Sequence, residues 1–185
     1  MRYSKGMSFV HHFLRVIWAN IGKFFVWDGY KFAHIFSKKV REVYKANLEK
    51  WNKIDSFMGL VSFFQNDYKY KWDGPKGIFD HNNSKLEFFT KFGDCDDVGF
   101  YACKKLKEIY KDNIEECFVI GFAQLDKKFW HYDCCFKVKN KNYYQLFNYG
   151  RVLIGNTLEE ATEKMQNNYK SYNLTNLKYW KCKYM

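Results

Sequence analysis

The chain has 185 residues, a mass of 22.5 kDa and a formal net charge of +11, which is enough length for one well-buried core and short for two. An aromatic content of 22% argues against an intrinsically disordered chain. The charge suits nucleic acid or an anionic membrane, but the lysines are scattered and form no basic run. Charge alone therefore gives a nucleic-acid partner only weak support.

The first 56 residues predict a helical extension. The apolar stretch over residues 9–27 is interrupted by histidine, arginine and lysine, so it neither spans a bilayer nor has the form of an export signal. Its spacing predicts an amphipathic helix over residues 11–27, and a second helix follows over residues 30–54. The first helix suits packing on its own domain, lying in a membrane interface, or docking onto a partner protein such as a virion component.

The main domain is predicted to cover residues 57–185. A short apolar helix over residues 57–64 leads into an aromatic loop with Gly and Pro over residues 68–77. Loops of this composition are typical of the side of a substrate-binding groove. Trp72 lies within this loop.

The most specific string is the acidic turn from Gly93 to Asp97. Gly93 permits a sharp backbone turn, and Asp94 or Asp96 can cap the helix that follows. Asp97 is expected to anchor the first turn of that helix. Cys95 then lies at the positive end of the helix dipole, which lowers the pKa of a thiol. The flanking aspartates oppose this shift, so we expect a cationic partner near Cys95.

After this helix, which is expected to end near residue 112, the apolar period changes from helical to alternating. The alternation predicts three strands in an antiparallel meander, over residues 116–125, 129–138 and 143–149. A capping box at Thr157 predicts a helix to about Tyr169. Residues 177–182 alternate again and predict a final edge strand.

Cysteine usage indicates a reducing compartment. The six cysteines form no C-x-x-C pair and two of them are adjacent, which is poor material for a disulfide framework or a tetrahedral zinc site. They are Cys95, Cys103, Cys117, Cys134, Cys135 and Cys182. His131, Asp133 and Cys135 alternate on one strand face, but this set is a weak candidate for metal binding. We expect no metal, no cofactor and a cytoplasmic location.

A cysteine at a helix start, a histidine on a strand and an asparagine on the next strand follow one another along the chain. A thiol nucleophile needs a base or a cationic partner, for which His131 is available. The imidazole needs an acceptor that holds its tautomer, and Asn148 is well placed to meet His131 across the hairpin. As an imidazolium, His131 would also offset Asp94 and Asp96 and keep Cys95 ionised.

The acidic cysteine turn, the strand WHYDCCFKV and the strand YYQLFNYG together resemble the transglutaminase-like cysteine peptidases, in particular the small bacterial and phage type. The resemblance covers roughly residues 64–180. It implies an α+β fold with a papain-like core, in which the nucleophile helix packs on an antiparallel sheet. The Cys-His-Asn triad is carried over as Cys95, His131 and Asn148, with Asn where many relatives have Asp.

The activity implied is acyl transfer through a thioester on Cys95, most simply hydrolysis of a peptide, isopeptide or cell-wall amide bond, with a protein or peptide as substrate. The oxyanion donors would be the backbone amide of Cys95 and either Gln124 or Trp72. Transamidation is a near alternative. The other alternative is an inactive module on the same fold that acts in a virion or with nucleic acid, in which case the location is the bacterial host cell or the virion itself.

Overall fold

The structure, a computed structural model, describes residues 38–70, 85–90, 93–127, 129–169, 173–174 and 177–182. The helix predicted over residues 11–27 and the loop residue Trp72 lie outside these ranges. Within them the protein has the α+β architecture that the sequence predicts, with helices and a single antiparallel sheet. No helix among the described residues is long and apolar enough to cross a membrane.

Five α-helices are described. They are α1 (Lys38–Asn52), α2 (Phe57–Asn66), α3 (Lys85–Thr90), α4 (Cys95–Tyr110) and α5 (Leu158–Asn168). Helix α4 buries Val98, Ala102 and Leu106, which recur every four residues and so lie on one face. Helix α5 begins at the predicted capping box, where the Thr157 hydroxyl accepts a hydrogen bond from the Glu160 amide.

The described strands form one five-stranded antiparallel sheet in the order β4-β3-β2-β1-β5. They are β1 (Ile114–Gln124), β2 (Phe129–Val138), β3 (Tyr144–Asn148), β4 (Arg151–Gly155) and β5 (Lys178–Lys181). The predicted meander and the predicted edge position of β5 are both present. Strand β4 and helix α3 were not predicted. Strand β4 follows a tight turn in which Tyr149 and Gly150 both have positive φ, the geometry of a two-residue hairpin loop.

The sheet buries both of its faces. Alternate residues of β2 point to opposite sides, and Cys134 and Phe136 pack with Val98 and Leu106 of α4. On the other side, Phe129 and Cys135 pack with the buried residues Ala161 and Met165 of α5. The two faces are called the α4 face and the α5 face below.

Helix α1 is joined to the core of the α4 face through Trp51, which is buried. Its indole makes edge-on contacts with five aromatic rings of α2, α3 and α4, namely Phe63, Phe64, Phe88, Phe89 and Tyr101. Trp51, at the centre of this aromatic cluster, therefore lies before residue 57, where the main domain is predicted to start.

Candidate functional site

Cys95 is the first residue of α4, and Asp94 precedes it in extended conformation as the N-cap. The predicted side-chain cap is not formed, because the Asp94 carboxylate makes no capping hydrogen bond within the described part of the chain. The first turn of the helix is instead held by a backbone hydrogen bond, which the Val98 amide donates to the Asp94 carbonyl at 3.1 Å. The thiol is thus placed at the amide end of a 16-residue helix, where free backbone donors are available.

The Cys95 thiol is protonated at neutral pH. Its side chain is buried, and burial together with the charges of Asp94 and Asp96 raises the pKa of Cys95 well above its ordinary value. Hydrogen bonds from the Tyr132 backbone amide and from the Tyr70 side chain oppose that shift without cancelling it. Burial and the two carboxylates therefore disfavour the resting thiolate that the sequence predicts.

Asn148 is close to Cys95 but does not hold the imidazole. Its side-chain amide donates to the Cys95 carbonyl at 3.0 Å and to the Tyr132 carbonyl at 2.6 Å. The predicted hydrogen bond between Asn148 and His131 is not formed. The pairing of β2 with β3 ends at Cys134 opposite Phe147, so the Tyr132 backbone beyond it is open to a side chain. Asn148 therefore ties the start of α4 to the start of β2.

His131 is held by a buried carboxylate and an arginine. When its Nε2 carries the proton, it donates to Oδ1 of Asp133 at 2.8 Å, and in the other tautomer Nε2 accepts from Nη2 of Arg151 at 3.0 Å. Arg151 also lies 3.5 Å from Oδ1 of Asp133. The acceptor that the sequence assigned to Asn148 is thus supplied by Asp133. With Nε2 bonded to Asp133, the remaining ring nitrogen, Nδ1, is the one that can accept a proton.

Tyr132 lies between the residues that carry the thiol and the imidazole. Its amide bonds to the Cys95 sulfur, and His131 is its neighbour along β2. No hydrogen bond joins Cys95 to His131 within the described residues, since strand alternation directs Tyr132 to the α4 face and His131 to the α5 face. Tyr169 packs beside the imidazole: its ring centroid lies 5.3 Å from that of His131. Burial is the main cause that raises the pKa of Tyr169, and the nearby charges of Asp133 and Cys95 add to it.

The other predicted residues are placed less centrally. Gln124 donates a hydrogen bond to Asp126 at 3.4 Å. Its side chain lies on the same side of the sheet as Phe122, which is the α5 face and not the face on which α4 packs. Asp97 is fully buried in the first turn of α4, consistent with an anchoring role, and Gly93 directly precedes the N-cap. Trp72 lies outside the described residues.

No catalytic role is predicted from the sequence for Tyr70, Asp133 or Arg151, and Asp133 enters there only as part of a weak metal-binding set. Asp133 carried a usable signal, because a carboxylate two residues from a histidine on a strand lies on the same face. Arg151 could not be found without β4. Tyr70 donates its side-chain hydrogen bond to the Cys95 sulfur, and burial and the charges of Cys95 and Asp94 raise the pKa of Tyr70, so its hydroxyl stays protonated.

Two groups of metal-ligating side chains converge in the described structure. The carboxylates of Asp94, Asp96 and Asp97 come together beside Cys95, and three other cysteines gather further along α4. Of these aspartates, Asp94 and Asp96 disfavour the ionised form of the Cys95 thiol.

Comparison with known proteins places no constraint on this site. No protein-family model matches the chain, and no curated protein matches it either. The chemistry of the site is therefore argued from its own geometry.

Proposed function

We propose that the protein is a thiol-dependent acyl-transfer enzyme with a papain-like, transglutaminase-like core, in which Cys95 is the nucleophile and His131 the general base. The single observation that supports this best is the pairing of His131 Nε2 with the buried Asp133 carboxylate at 2.8 Å, one residue from the amide that bonds to the Cys95 sulfur. A carboxylate in this position fixes the tautomer and stabilises the imidazolium that forms when the thiol loses its proton.

In this mechanism the thiol is neutral at rest, and its proton moves to Nδ1 of His131 as the sulfur attacks an amide carbonyl. The imidazolium then protonates the leaving amine, and water resolves the thioester. Asp133 takes the third place of the triad, and Asn148 positions the Cys95 backbone. The step requires the ring of His131 to come within reach of the sulfur in the substrate complex, since catalytic hydrogen bonds that are loose in a free enzyme tighten in the Michaelis complex.

Two donors suit the developing oxyanion. The backbone amide of Cys95 points from the helix start, where amides lack partners within the helix. Tyr70 supplies the second donor in this proposal, in place of Gln124, because its protonated hydroxyl already bonds to the sulfur. The substrate class is a peptide, isopeptide or cell-wall amide, and a lysine amine in place of water would give transamidation.

The decisive experiment traps the thioester. The full chain is incubated with an activated acyl ester and digested, and the acylated peptide is identified by mass spectrometry. We expect acylation at Cys95, its loss with hydroxylamine, and no acylation in Cys95→Ala. Cys182→Ala is the matched control, since Cys182 is a partly buried cysteine of the β5 end and is outside the site.

A non-catalytic binding module on the same fold is the second candidate. The observation that favours it is the absence of a hydrogen bond between Cys95 and His131 in the described residues, together with the raised pKa of Cys95. Such a module would be acylated no faster at Cys95 than at Cys182, and Cys95→Ala would leave partner binding unchanged. That result would remove the enzyme proposal.

A further inference from the structure

Three cysteines that are far apart in the chain come together beneath α4. Cys103 belongs to α4, Cys117 to β1 and Cys134 to β2, and their sulfur atoms all lie within 4.8 Å of one another. The sulfurs of Cys103 and Cys134 are 2.8 Å apart, and the Cys117 thiol donates to the Cys103 carbonyl at 3.6 Å. We call these three residues the thiol cluster.

The thiol cluster is separate from the candidate acyl-transfer site. Cys103 follows Cys95 by a little more than two turns of α4, a separation of about 12 Å along the helix axis. Cys103 and Cys134 are fully buried, whereas Cys117 is partly exposed, so the cluster has one side from which an ion can enter. Each thiol is held by a different element of the core, which fixes the three sulfurs relative to one another.

The donor set defines the class of ligand. Thiolates are soft ligands that favour Cu(I), zinc and iron–sulfur clusters. Iron–sulfur clusters and structural zinc sites take four protein ligands, and no fourth cysteine, histidine or carboxylate joins the cluster among the described residues. A soft ion that takes three ligands fits this set better. Cu(I) is such an ion, because three sulfur ligands complete its coordination.

The dimensions also suit one ion. A metal–sulfur distance of about 2.3 Å places the sulfurs of a trigonal site about 4 Å apart, within the observed limit of 4.8 Å. The Cys103 and Cys134 sulfurs have to separate by about 1 Å, a shift within the reach of side-chain rotation. The positive charge of Lys107 lies close enough to act on Cys117, and it offsets part of the negative charge that three thiolates bring.

We propose that Cys103, Cys117 and Cys134 form a three-thiolate site for a single Cu(I) ion. On binding, three sulfur–copper bonds form and the thiol protons leave to solvent. Copper stays monovalent, so no electron is transferred.

The test is an anaerobic titration of the reduced full chain with Cu(I) against a chromophoric Cu(I) chelator, followed by X-ray absorption spectroscopy of the loaded protein. We expect one ion per chain with three sulfur neighbours. Cys117→Ser changes the least buried of the three positions. It should weaken Cu(I) binding by more than the roughly 10–100-fold that is typical when a residue hydrogen-bonded to a metal ligand is changed. Cys182→Ser should retain the affinity and the sulfur count.

Three results would overturn the proposal. They are retention of wild-type affinity in Cys117→Ser, loss of binding in Cys182→Ser, or nitrogen and oxygen neighbours in the absorption spectrum. The spectrum uses the unmodified chain, so it decides the question even where a variant fails to fold.

Discussion

The side-chain amide of Asn148 donates a hydrogen bond of 3.0 Å to the backbone carbonyl of Cys95. Its second hydrogen bond is donated to the Tyr132 carbonyl. One side-chain amide thus joins the start of α4 to strand β2, and we call this pair of bonds the clamp. Asn148 thus acts on the position of the thiol without contacting the sulfur or the imidazole, which distinguishes it from the triad member that the sequence predicted.

Asn148→Ala removes both bonds and leaves two carbonyls without this donor. Because Asn148 is buried, we expect the free energy of unfolding to fall by about 1–3 kcal/mol, measured by urea denaturation. Asn168→Ala, at an exposed position of α5, is the control and should change it by less than about 0.5 kcal/mol. Equal stability of the two variants would show that the clamp contributes nothing.

Alkylation of Cys95 should be slow at neutral pH and faster in the double variant Asp94→Asn, Asp96→Asn. The two carboxylates and burial raise the pKa of Cys95, so the thiolate fraction is small below that pKa and grows as pH rises. Neutralising the carboxylates lowers the pKa, and each unit lowered raises the thiolate fraction about tenfold in that pH range, a gain that the lower nucleophilicity of the thiolate offsets only in part.

The rate is measured with iodoacetamide as a function of pH, by mass spectrometry of the Cys95 peptide. Asp112→Asn, on the exposed turn after α4, is the matched control and should leave the rate unchanged. A slower reaction in the double variant would mean that the aspartates hold the thiol in a reactive position instead of disfavouring its ionisation.

Asp133→Asn separates the roles of Asp133 and Asn148 in acyl transfer. If Asp133 orients His131, the rate of acylation by an ester should fall by about 10²–10⁴-fold, with the fold retained by circular dichroism. Asp126→Asn, at an exposed carboxylate, should leave the rate as in the wild type. A larger loss in Asn148→Ala than in Asp133→Asn would restore Asn148 to the triad.

Gly155→Ala tests the junction between β4 and α5. A Cβ atom at Gly155 would lie 2.3 Å from the Ala161 backbone nitrogen and 2.8 Å from the Thr157 carbonyl oxygen. Both are backbone atoms at the start of α5, so no side-chain rotation can relieve the clash. We therefore expect a loss of about 1–3 kcal/mol in the free energy of unfolding. Ile154→Ala, at the exposed neighbouring position, should have a much smaller effect in the same denaturation experiment.

Elements with a strong local period were predictable from the sequence. The apolar repeat of α4, the alternation of β1 and β2 and the capping box at Thr157 each specify their structure through short-range physics. Strand β4 is not predictable in this way, because a glycine directly after the alternating run over residues 143–149 is as typical of the end of a strand as of the two-residue hairpin loop that Tyr149 and Gly150 form.

The contacts of the candidate residues were less predictable than their places in the chain. Asn148 contacts the Cys95 backbone and His131 pairs with Asp133, and which acceptor pairs with the imidazole depends on which face each side chain takes. That choice is made by packing across the sheet. The thiol cluster shows the same limit, because its three cysteines are brought together by tertiary contacts that their spacing in the chain does not encode.

Trp51 has a consequence for how the protein can be divided. Its indole is enclosed by rings from three helices, and one of these rings belongs to Tyr101 of α4, the helix that begins at Cys95. A fragment that starts at residue 57 would lack the indole and leave an aromatic-lined void against that helix. We therefore expect the shortest portion of the chain that folds with an intact helix α4 to include α1.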